Sequence, residues 1–198
     1  MNIHIGVMCH LEEDLFRLLS RLRECREYGN VGVVQVLDDF SGHGYDTYVA
    51  GLCTEYGFRF QQRKLDYDFS AQRNYLMSLL PRGDFIGMLD ADEMVPPYFF
   101  TRCAQVLEQN PEADALSISR KNVVIGYDGS QRITMERHPR VFKNLETVFW
   151  NGTIHEGQVG LKAVVETPIE LEIEHVKTEA RCTKQHNFYK HWYDQGKT

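Results

Sequence analysis

The sequence predicts an α/β fold with a doubly wound, mostly parallel sheet and a small antiparallel part towards the C-terminus. Apolar segments of strand length alternate with segments of helical period along the first half of the chain. Strands and helices in that order form parallel sheets with right-handed crossovers. The segment VGVVQVL at residues 31–37 is almost wholly apolar, which is typical of a strand covered on both faces. After residue 110, hairpin patterns replace the alternation.

In the first half, four predicted strands are each followed by a predicted helix. The first helix has the clearest pattern, because Leu15, Leu18 and Leu22 recur on one face and Gly29 ends the period. The proline pair at 96–97 is predicted to begin the fourth helix, since proline is tolerated in a first turn. The predicted elements are a strand at 3–8, a helix at 11–29, a strand at 31–37, a helix at 45–56, a strand at 58–62, a helix at 69–80, a strand at 84–89 and a helix from 96.

The second half is expected to form a hairpin, further strands and a closing helix. Asp128 and Gly129 are a residue pair typical of a tight turn, and they follow a predicted strand. No repeat, low-complexity tract or linker interrupts the sequence, so one domain over residues 1–198 is predicted. The remaining elements are a strand at 113–124, an extended piece at 138–143, a strand at 169–176 and a polar, aromatic-containing helix at 179–195.

Composition restricts the class of protein. The formal net charge of -6 provides no broad basic face, which argues against a nucleic-acid or anionic-membrane binder. Five cysteines without a CxxC pair argue against a disulfide framework or a structural zinc site, and they fit the reduced thiols of a cytoplasmic protein. No window of about 18 consecutive apolar residues predicts a membrane span, and the polar N-terminus does not resemble a signal peptide.

Two acidic clusters come directly after predicted strands. Asp38 and Asp39 follow the second strand, and Asp90, Asp92 and Glu93 follow the fourth. Ligands of a parallel sheet bind beyond the carboxyl ends of its strands, and acids this close repel one another unless a cation compensates them. Asp90 and Asp92 point the same way from an extended segment and suit Mg²⁺ or Mn²⁺. The alternatives are a helix N-terminus for the second cluster and a turn or helix cap for the first.

Several motifs run in order along the chain: VVQVLDDFSGHGYDT, DFSAQRNYLM, FIGMLDADE, HPRVFK, WNGTIHE and IEH. Together they resemble the family 2 glycosyltransferases of GT-A fold, and more narrowly the branch that contains bacterial lipopolysaccharide-core glucosyltransferases. The resemblance extends from the first strand to the last helix. Phe40 stands where that family usually has glycine, and Cys9-His10 replaces its usual Asn-Glu.

The resemblance implies roles for the residues of the donor site. Asp39 would hydrogen-bond the nucleobase, with Asp38 in the same loop. Arg73 would contact the base or the phosphates. Asp90 would hold the ribose or the sugar and is also a candidate ligand of the metal. Asp92, in the DxD motif, would bind the metal that bridges the pyrophosphate.

The resemblance also implies a general base and a further metal ligand. Glu156 is the candidate base that deprotonates the acceptor hydroxyl, and Glu93 is the second candidate, with a supporting role as its alternative. His175 is the candidate histidine ligand of the metal, and His155 is the competing choice. The basic run at 132–143 folds over the diphosphate, meets an anionic acceptor or forms a solvated hairpin.

The predicted function is that of a metal-dependent inverting glycosyltransferase, a hexosyltransferase, with Mn²⁺ or Mg²⁺ as cofactor. Its donor would be a nucleotide-sugar, with a UDP-hexose as the favoured choice, and residues 1–110 would bind it. Residues 111–198 would form the acceptor or closing half. The acceptor would be a hydroxyl of a glycan or another biopolymer, with phage-type modified DNA left open. The alternatives are a sugar nucleotidyltransferase and a non-catalytic GT-A domain that binds a nucleotide-sugar or a partner.

Two further expectations concern location and assembly. The protein is predicted to be cytoplasmic, with the inner face of the membrane as an alternative site of action. The C-terminal helix is rich in aromatic residues: Phe188, Tyr189, Trp192 and Tyr193. It is expected to pack on the core; the alternatives are a sugar platform, a membrane-surface contact and a partner or homodimer contact.

Overall fold

The computed structural model describes residues 1–42, 44–153 and 156–194. The strands in these ranges are β1 (Ile3–Cys9), β2 (Val31–Asp38), β3 (Arg59–Gln62), β4 (Phe85–Asp90), β5 (Glu93–Met94), β6 (Ala115–Ile125), β7 (Gln131–Lys143), β8 (Phe149–Asn151), β9 (Gly157–Val159), β10 (Val164–Glu166) and β11 (Glu172–Thr178). The helices are α1 (Leu15–Tyr28), α2 (Tyr45–Tyr56), α3 (Phe69–Ser78), α4 (Phe99–Gln109) and α5 (Glu179–Asp194).

A large mixed sheet has the strand order β3-β2-β1-β4-β7-β6-β11-β5, with β10 paired to β6. Its first four strands run parallel. β7 is antiparallel to both β4 and β6, whereas β10 and β11 run parallel to β6. β8 and β9 form a separate antiparallel pair.

Helices cover both faces of the sheet, and each face has its own hydrophobic core. One core joins β1 to the apolar faces of α1, α2 and α4. The other joins α3 to Phe142 of β7 and Trp150 of β8. The predicted fold class, an α/β fold with a doubly wound, mostly parallel sheet and a small antiparallel part, is therefore confirmed.

The close approach of α3 to the sheet depends on a glycine. A Cβ atom at Gly6 in β1 would lie 2.9 Å from Leu76 Cγ of α3 and 2.9 Å from Met88 Sδ of β4. Asp68 caps the same helix, since its Oδ1 accepts a hydrogen bond from the Ala71 backbone N–H at 2.8 Å. These two features fix the position of Arg73, which lies within α3.

Several elements differ from the sequence prediction. Four short strands, β5, β8, β9 and β10, were not predicted, and other elements have different bounds. The first helix begins at Leu15 rather than at residue 11, because residues 10–14 form a turn in which Leu11 has a left-handed backbone. The helix after the proline pair begins at Phe99, so the prolines precede it. The extended piece at 138–143 belongs to β7, which is continuous over thirteen residues because β6 pairs along almost its whole length.

In the described part of the chain, no helix is both long and apolar enough to cross a membrane.

Candidate functional site

The carboxyl ends of β1, β2 and β4 meet at one edge of the sheet. Cys9 at the end of β1 pairs in register with Asp38, and Met8 pairs with Asp90. The two acidic clusters therefore lie at the same edge, which is where a parallel sheet binds ligands.

Asp38 is fully buried and holds its own loop together. Its Oδ2 accepts hydrogen bonds from the Ser41 backbone N–H and from Gln62 Nε2, both at 3.0 Å, and its Oδ1 accepts one from the Ser41 hydroxyl. The side chain is thus used in shaping the loop that carries Asp39.

Asp39 is the member of this pair that reaches the surface. Its Oδ1 accepts a hydrogen bond from the Leu65 backbone N–H at 2.6 Å, and its Oδ2 lies 3.7 Å from His10 Nδ1. Burial raises the pKa of Asp39, although the Leu65 amide opposes that shift. A carboxylate in this position can accept a hydrogen bond from a ligand N–H group.

Backbone strain is concentrated around Asp39. Five non-glycine residues of the described chain have a left-handed backbone, and four of them lie in the three loops that meet here. Such conformations cost of order 1 kcal/mol each and cluster at binding sites. Two of the four also expose large apolar side chains, Leu11 and Phe40. The four residues are Leu11, Phe40, Asp66 and Tyr67.

Arg73 joins two predicted site residues that are distant in sequence. Its Nε donates to Glu156 Oε1 at 2.6 Å, and its Nη2 donates to Asp90 Oδ1 at 2.9 Å. Its guanidinium carbon lies 4.8 Å from the centre of the Trp150 ring, and its Nη1 is buried without a hydrogen-bond partner among the described residues. Arg73 is therefore buried and is held in place by two carboxylates and an aromatic ring. Its contact with the base or the phosphates of a donor stays a prediction.

Glu93 is completely buried between two arginines. Its Oε1 accepts hydrogen bonds from Arg140 Nη2 and, at 3.3 Å, from Arg120 Nη1, and its Oε2 accepts one from the Asp90 backbone N–H at 3.0 Å. Burial raises the pKa of Glu93, whereas Arg73 and Arg140 lower the pKa of Asp90 in spite of its burial. These contacts favour the supporting role over that of base for Glu93.

Asp92 is surrounded by cations from the C-terminal strand and helix. Its Oδ2 lies 3.2 Å from His175 Nε2, 3.4 Å from Lys177 Nζ and 3.2 Å from Arg181 Nη2. Burial alone would raise the pKa of Asp92, but the His175 hydrogen bond and the charges of Lys177, His175 and Arg181 hold it far below its usual range. The pairing of β5 with β11 places His175 here, because Glu93 and His175 are partners in register.

The ring of His175 is oriented by its second nitrogen. His175 Nδ1 lies 2.7 Å from Asn122 Oδ1, and the Asn122 side chain also hydrogen-bonds Glu136. A carboxylate accepts hydrogen bonds only, so the Asn122 amide nitrogen faces Glu136 and its oxygen accepts from His175 Nδ1–H. His175 Nε2 then faces the Asp92 carboxylate, which leaves a place between them for a proton or a metal ion.

The carboxylate of Asp92 and the imidazole of His175 are ligand groups that suit a divalent ion such as Mn²⁺ or Mg²⁺. Asp92 and His175 stand 3.2 Å apart, a separation that suits two neighbouring ligands each about 2.1 Å from one ion. No group of three or more His, Cys, Asp or Glu side chains that could hold a metal ion occurs within residues 1–42, 44–153 and 156–194. An ion held here would take its other ligands from Asp90, substrate and water. His155, the competing ligand, lies outside the described residues, as do the side chains of Trp192 and Tyr193.

Sequence reasoning missed the cations that balance the acids. No motif contained Arg120, Asn122, Lys177 or Arg181. Arg140 was noted only within the motif HPRVFK and the basic run at 132–143, without a role towards Glu93. One of these cations could have been found from the sequence, because side chains of a strand point alternately to its two faces. Lys177 lies two positions after His175 and therefore points to the same face of β11.

Comparison with protein-family models and with curated protein sequences finds no match. Among solved structures, this chain is similar to S. aureus TarS, with 17% identity and a TM-score of 0.48 over 66% of this chain and 23% of that chain. It is also similar to TarS 1–349 in complex with UDP-GlcNAc, with 17% identity and a TM-score of 0.46 over 66% of this chain and 36% of that chain.

A third solved structure is CMP:2-keto-3-deoxy-manno-octonic acid synthetase complexed with CTP, with 14% identity, a TM-score of 0.45, and coverage of 61% of this chain and 53% of that chain. This chain thus spans between 23% and 53% of the length of these three structures. At such identities and scores, function has to be argued from the site's own geometry.

Proposed function

We propose that this protein is a metal-dependent inverting glycosyltransferase that moves a hexose from a nucleotide-sugar to a hydroxyl group of a glycan or another biopolymer. A UDP-linked sugar is the favoured donor. The observation that carries the proposal is the Arg73 bridge. One buried guanidinium holds Asp90, beside the predicted metal ligand Asp92, and Glu156, the predicted base, at the ligand-binding edge of the sheet.

The donor would lie along that edge. Asp39 accepts a hydrogen bond from the nucleobase, and Asp90 accepts one from a hydroxyl of the ribose or sugar. Asp92 and His175 hold the Mn²⁺ or Mg²⁺ ion. When bound, that ion supplies Lewis-acid stabilisation of the charge that develops on the leaving diphosphate.

Glu156 acts on the acceptor. It takes the proton of the acceptor hydroxyl while that oxygen forms a bond to the anomeric carbon and the bond from this carbon to the diphosphate oxygen breaks. Attack from the face opposite the leaving group inverts the anomeric configuration. The side chain is 11% exposed, so Arg73 can orient it while one part stays open to an acceptor.

The β1–α1 loop argues against the alternative of a sugar nucleotidyltransferase. Such an enzyme needs a glycine-rich loop with a nearby basic residue after the first strand to cradle a triphosphate. Here residues 10–14 read HLEED, with three acidic residues and no glycine, lysine or arginine. A triphosphate in this loop would meet like charge.

A thermal-shift panel tests the proposal. UDP-, GDP-, dTDP- and CMP-sugars are added with and without Mn²⁺ to the wild type, to Asp92→Asn and to the control Glu112→Gln, an exposed acid at the opposite edge of the sheet. A nucleotide-selective rise in Tm that needs Mn²⁺, persists in Glu112→Gln and vanishes in Asp92→Asn is expected, because a ligand of the folded state stabilises it by mass action. Absence of any Mn²⁺-linked shift would refute the assigned site.

Turnover then separates an enzyme from a binding domain. With the selected donor, release of free nucleoside diphosphate should require Mn²⁺, and NMR of the sugar product should show the inverted anomer. Donor binding without any such release would instead identify a non-catalytic GT-A domain.

A further inference from the structure

More positively charged side chains surround Asp92 than are needed to balance the charge of one carboxylate. Lys177 Nζ and Arg181 Nη2 lie 3.4 Å and 3.2 Å from Asp92 Oδ2, and His175 Nε2 lies 3.2 Å from the same oxygen. Asp92 and Lys177 are nearly buried, with side-chain exposures of 12% and 13%. Interactions between charges are weakly screened in such a place.

Both cations have a second anchor that limits how far they can withdraw. Lys177 Nζ donates to Gln185 Oε1 at 2.8 Å, within the strand–helix corner that β11 and α5 form. Arg181 Nη1 lies 3.1 Å from Asp14 Oδ2 in the β1–α1 loop. A divalent ion placed on Asp92 would therefore meet two nearby positive charges that remain in its vicinity.

An anion with two or more charges would remove that repulsion. The diphosphate of a nucleotide-sugar carries such charge, and it would lie against the metal in the proposed site. Arg181 offers a planar fork for two phosphate oxygens, and Lys177 offers a compact ammonium group. The geometry thus favours joint binding of the metal ion and a diphosphate over binding of the metal ion alone.

We propose that Lys177 and Arg181 bind the diphosphate of the donor and make metal binding at Asp92 and His175 conditional on that diphosphate. The inference rests on the proposed function and adds two phosphate-binding residues to it. In the ligand-free state the two cations occupy the metal-binding carboxylate. When the donor arrives, they turn to its phosphates.

Titration of Mn²⁺, followed by the EPR signal of the free ion, tests the coupling without any turnover. Wild type is titrated alone and with UDP, GDP or inorganic pyrophosphate, and protein-free titrations subtract binding of Mn²⁺ to the probe itself. We expect at least tenfold tighter Mn²⁺ binding with one of these probes than without, which corresponds to about 1.4 kcal/mol of coupling.

Neutral variants should weaken this coupling. In Lys177→Met and Arg181→Gln, Mn²⁺ alone should bind more tightly than in wild type, and the affinity for the probe should fall by about tenfold or more. The ratio of Mn²⁺ affinities with and without the probe should therefore fall towards one. Lys177→Arg should keep it, because the charge remains. Lys190→Met, an exposed lysine of the same helix, is the matched control and should behave as wild type. Arg181 is 33% exposed, so its variant provides the test if Lys177→Met does not fold.

The outcomes separate this inference from the proposed function. If wild type binds neither probe nor Mn²⁺, the proposed function is wrong and the inference is lost with it. If wild type shows the coupling and the variants retain it unchanged, only the inference is wrong. If Mn²⁺ binds wild type equally well with and without every probe, conditional binding is excluded.

Discussion

Arg73 shows how much of the site depends on one side chain. Its two donated hydrogen bonds connect Asp90 at the end of β4 with Glu156 after the β8 strand, and its flat guanidinium lies over Trp150. A lysine could supply the charge but neither the fork nor the stacking surface. A single residue therefore sets the position of Asp90, the proposed donor-binding carboxylate, relative to Glu156, the proposed base.

The role of Glu156 can be tested by an isosteric change. Glu156→Gln keeps an acceptor for Arg73 Nε but removes the basic oxygen, so kcat should fall by about 10²- to 10⁴-fold. Donor affinity, measured by calorimetry with Mn²⁺ present, should change little because Asp39, Asp90 and Asp92 remain. Glu146→Gln, an exposed acid in the loop before β8, should retain full turnover. Unchanged kcat in Glu156→Gln would remove Glu156 as the base.

Glu12 introduces a pH dependence of stability. Burial, assisted by Asp92, raises its pKa from the ordinary 4.5 to about 7. The folded chain thus binds more protons than the unfolded chain between these values, so this residue's contribution makes the protein less stable as pH rises from 4.5 through 7. Glu12→Gln should remove the loss, and its Tm should exceed that of wild type by more at pH 8 than at pH 5.

The neighbouring Glu13→Gln is the control for this effect. Glu13 is exposed, so its Tm difference from wild type should be the same at both pH values. A Tm difference for Glu12→Gln that is equal at pH 5 and pH 8 would show that Glu12 has an ordinary pKa in the folded protein.

At the scale of elements, the two-residue strand β5 has the largest effect on the site. It pairs antiparallel with β11, and this pairing sets Glu93 beside His175. No hydrophobic period can be read from two residues, so the sequence offered no sign of it. By contrast, α2 was predicted at its observed bounds, because a glycine at each end and a helical pattern between them are local features.

The cap of α3 gives a prediction at this scale. Asp68→Ala removes the side-chain acceptor for the Ala71 N–H and should reduce the free energy of unfolding by about 1 kcal/mol. Urea denaturation monitored by circular dichroism measures the loss. Asp68→Asn retains a capping oxygen and should recover most of the stability. If both variants lose the same amount, the negative charge rather than the cap contributes the stability.

For the whole molecule, the binding edge is assembled from segments far apart in sequence. The ion pair between Arg181 and Asp14 joins the last helix to the first loop, and Arg181 also pairs with Asp92. The β1–α1 loop, the ends of β2 and β4, and the start of α5 should therefore respond to a ligand together.

Hydrogen exchange measured by mass spectrometry can detect that joint response. With Mn²⁺ and the donor selected in the thermal-shift panel, backbone amides of residues 10–14, 38–42, 64–68 and 177–183 should become protected. Residues 81–84 and 110–114, at the amino ends of the strands, should exchange at an unchanged rate and serve as the internal control. Protection confined to the latter ranges would place the ligand at the wrong edge for the proposed function.

The sequence by itself determined the alternation of strands and helices and the meeting of both acidic clusters at one edge, because period, chain order and crossover handedness follow from local patterns and general rules. Only the tertiary structure decided which groups balance those acids. Arg73 bridges Asp90 and Glu156, while Lys177 and Arg181 bind Asp92. These pairings depend on the register between distant strands and on the placement of α5, which no local pattern encodes.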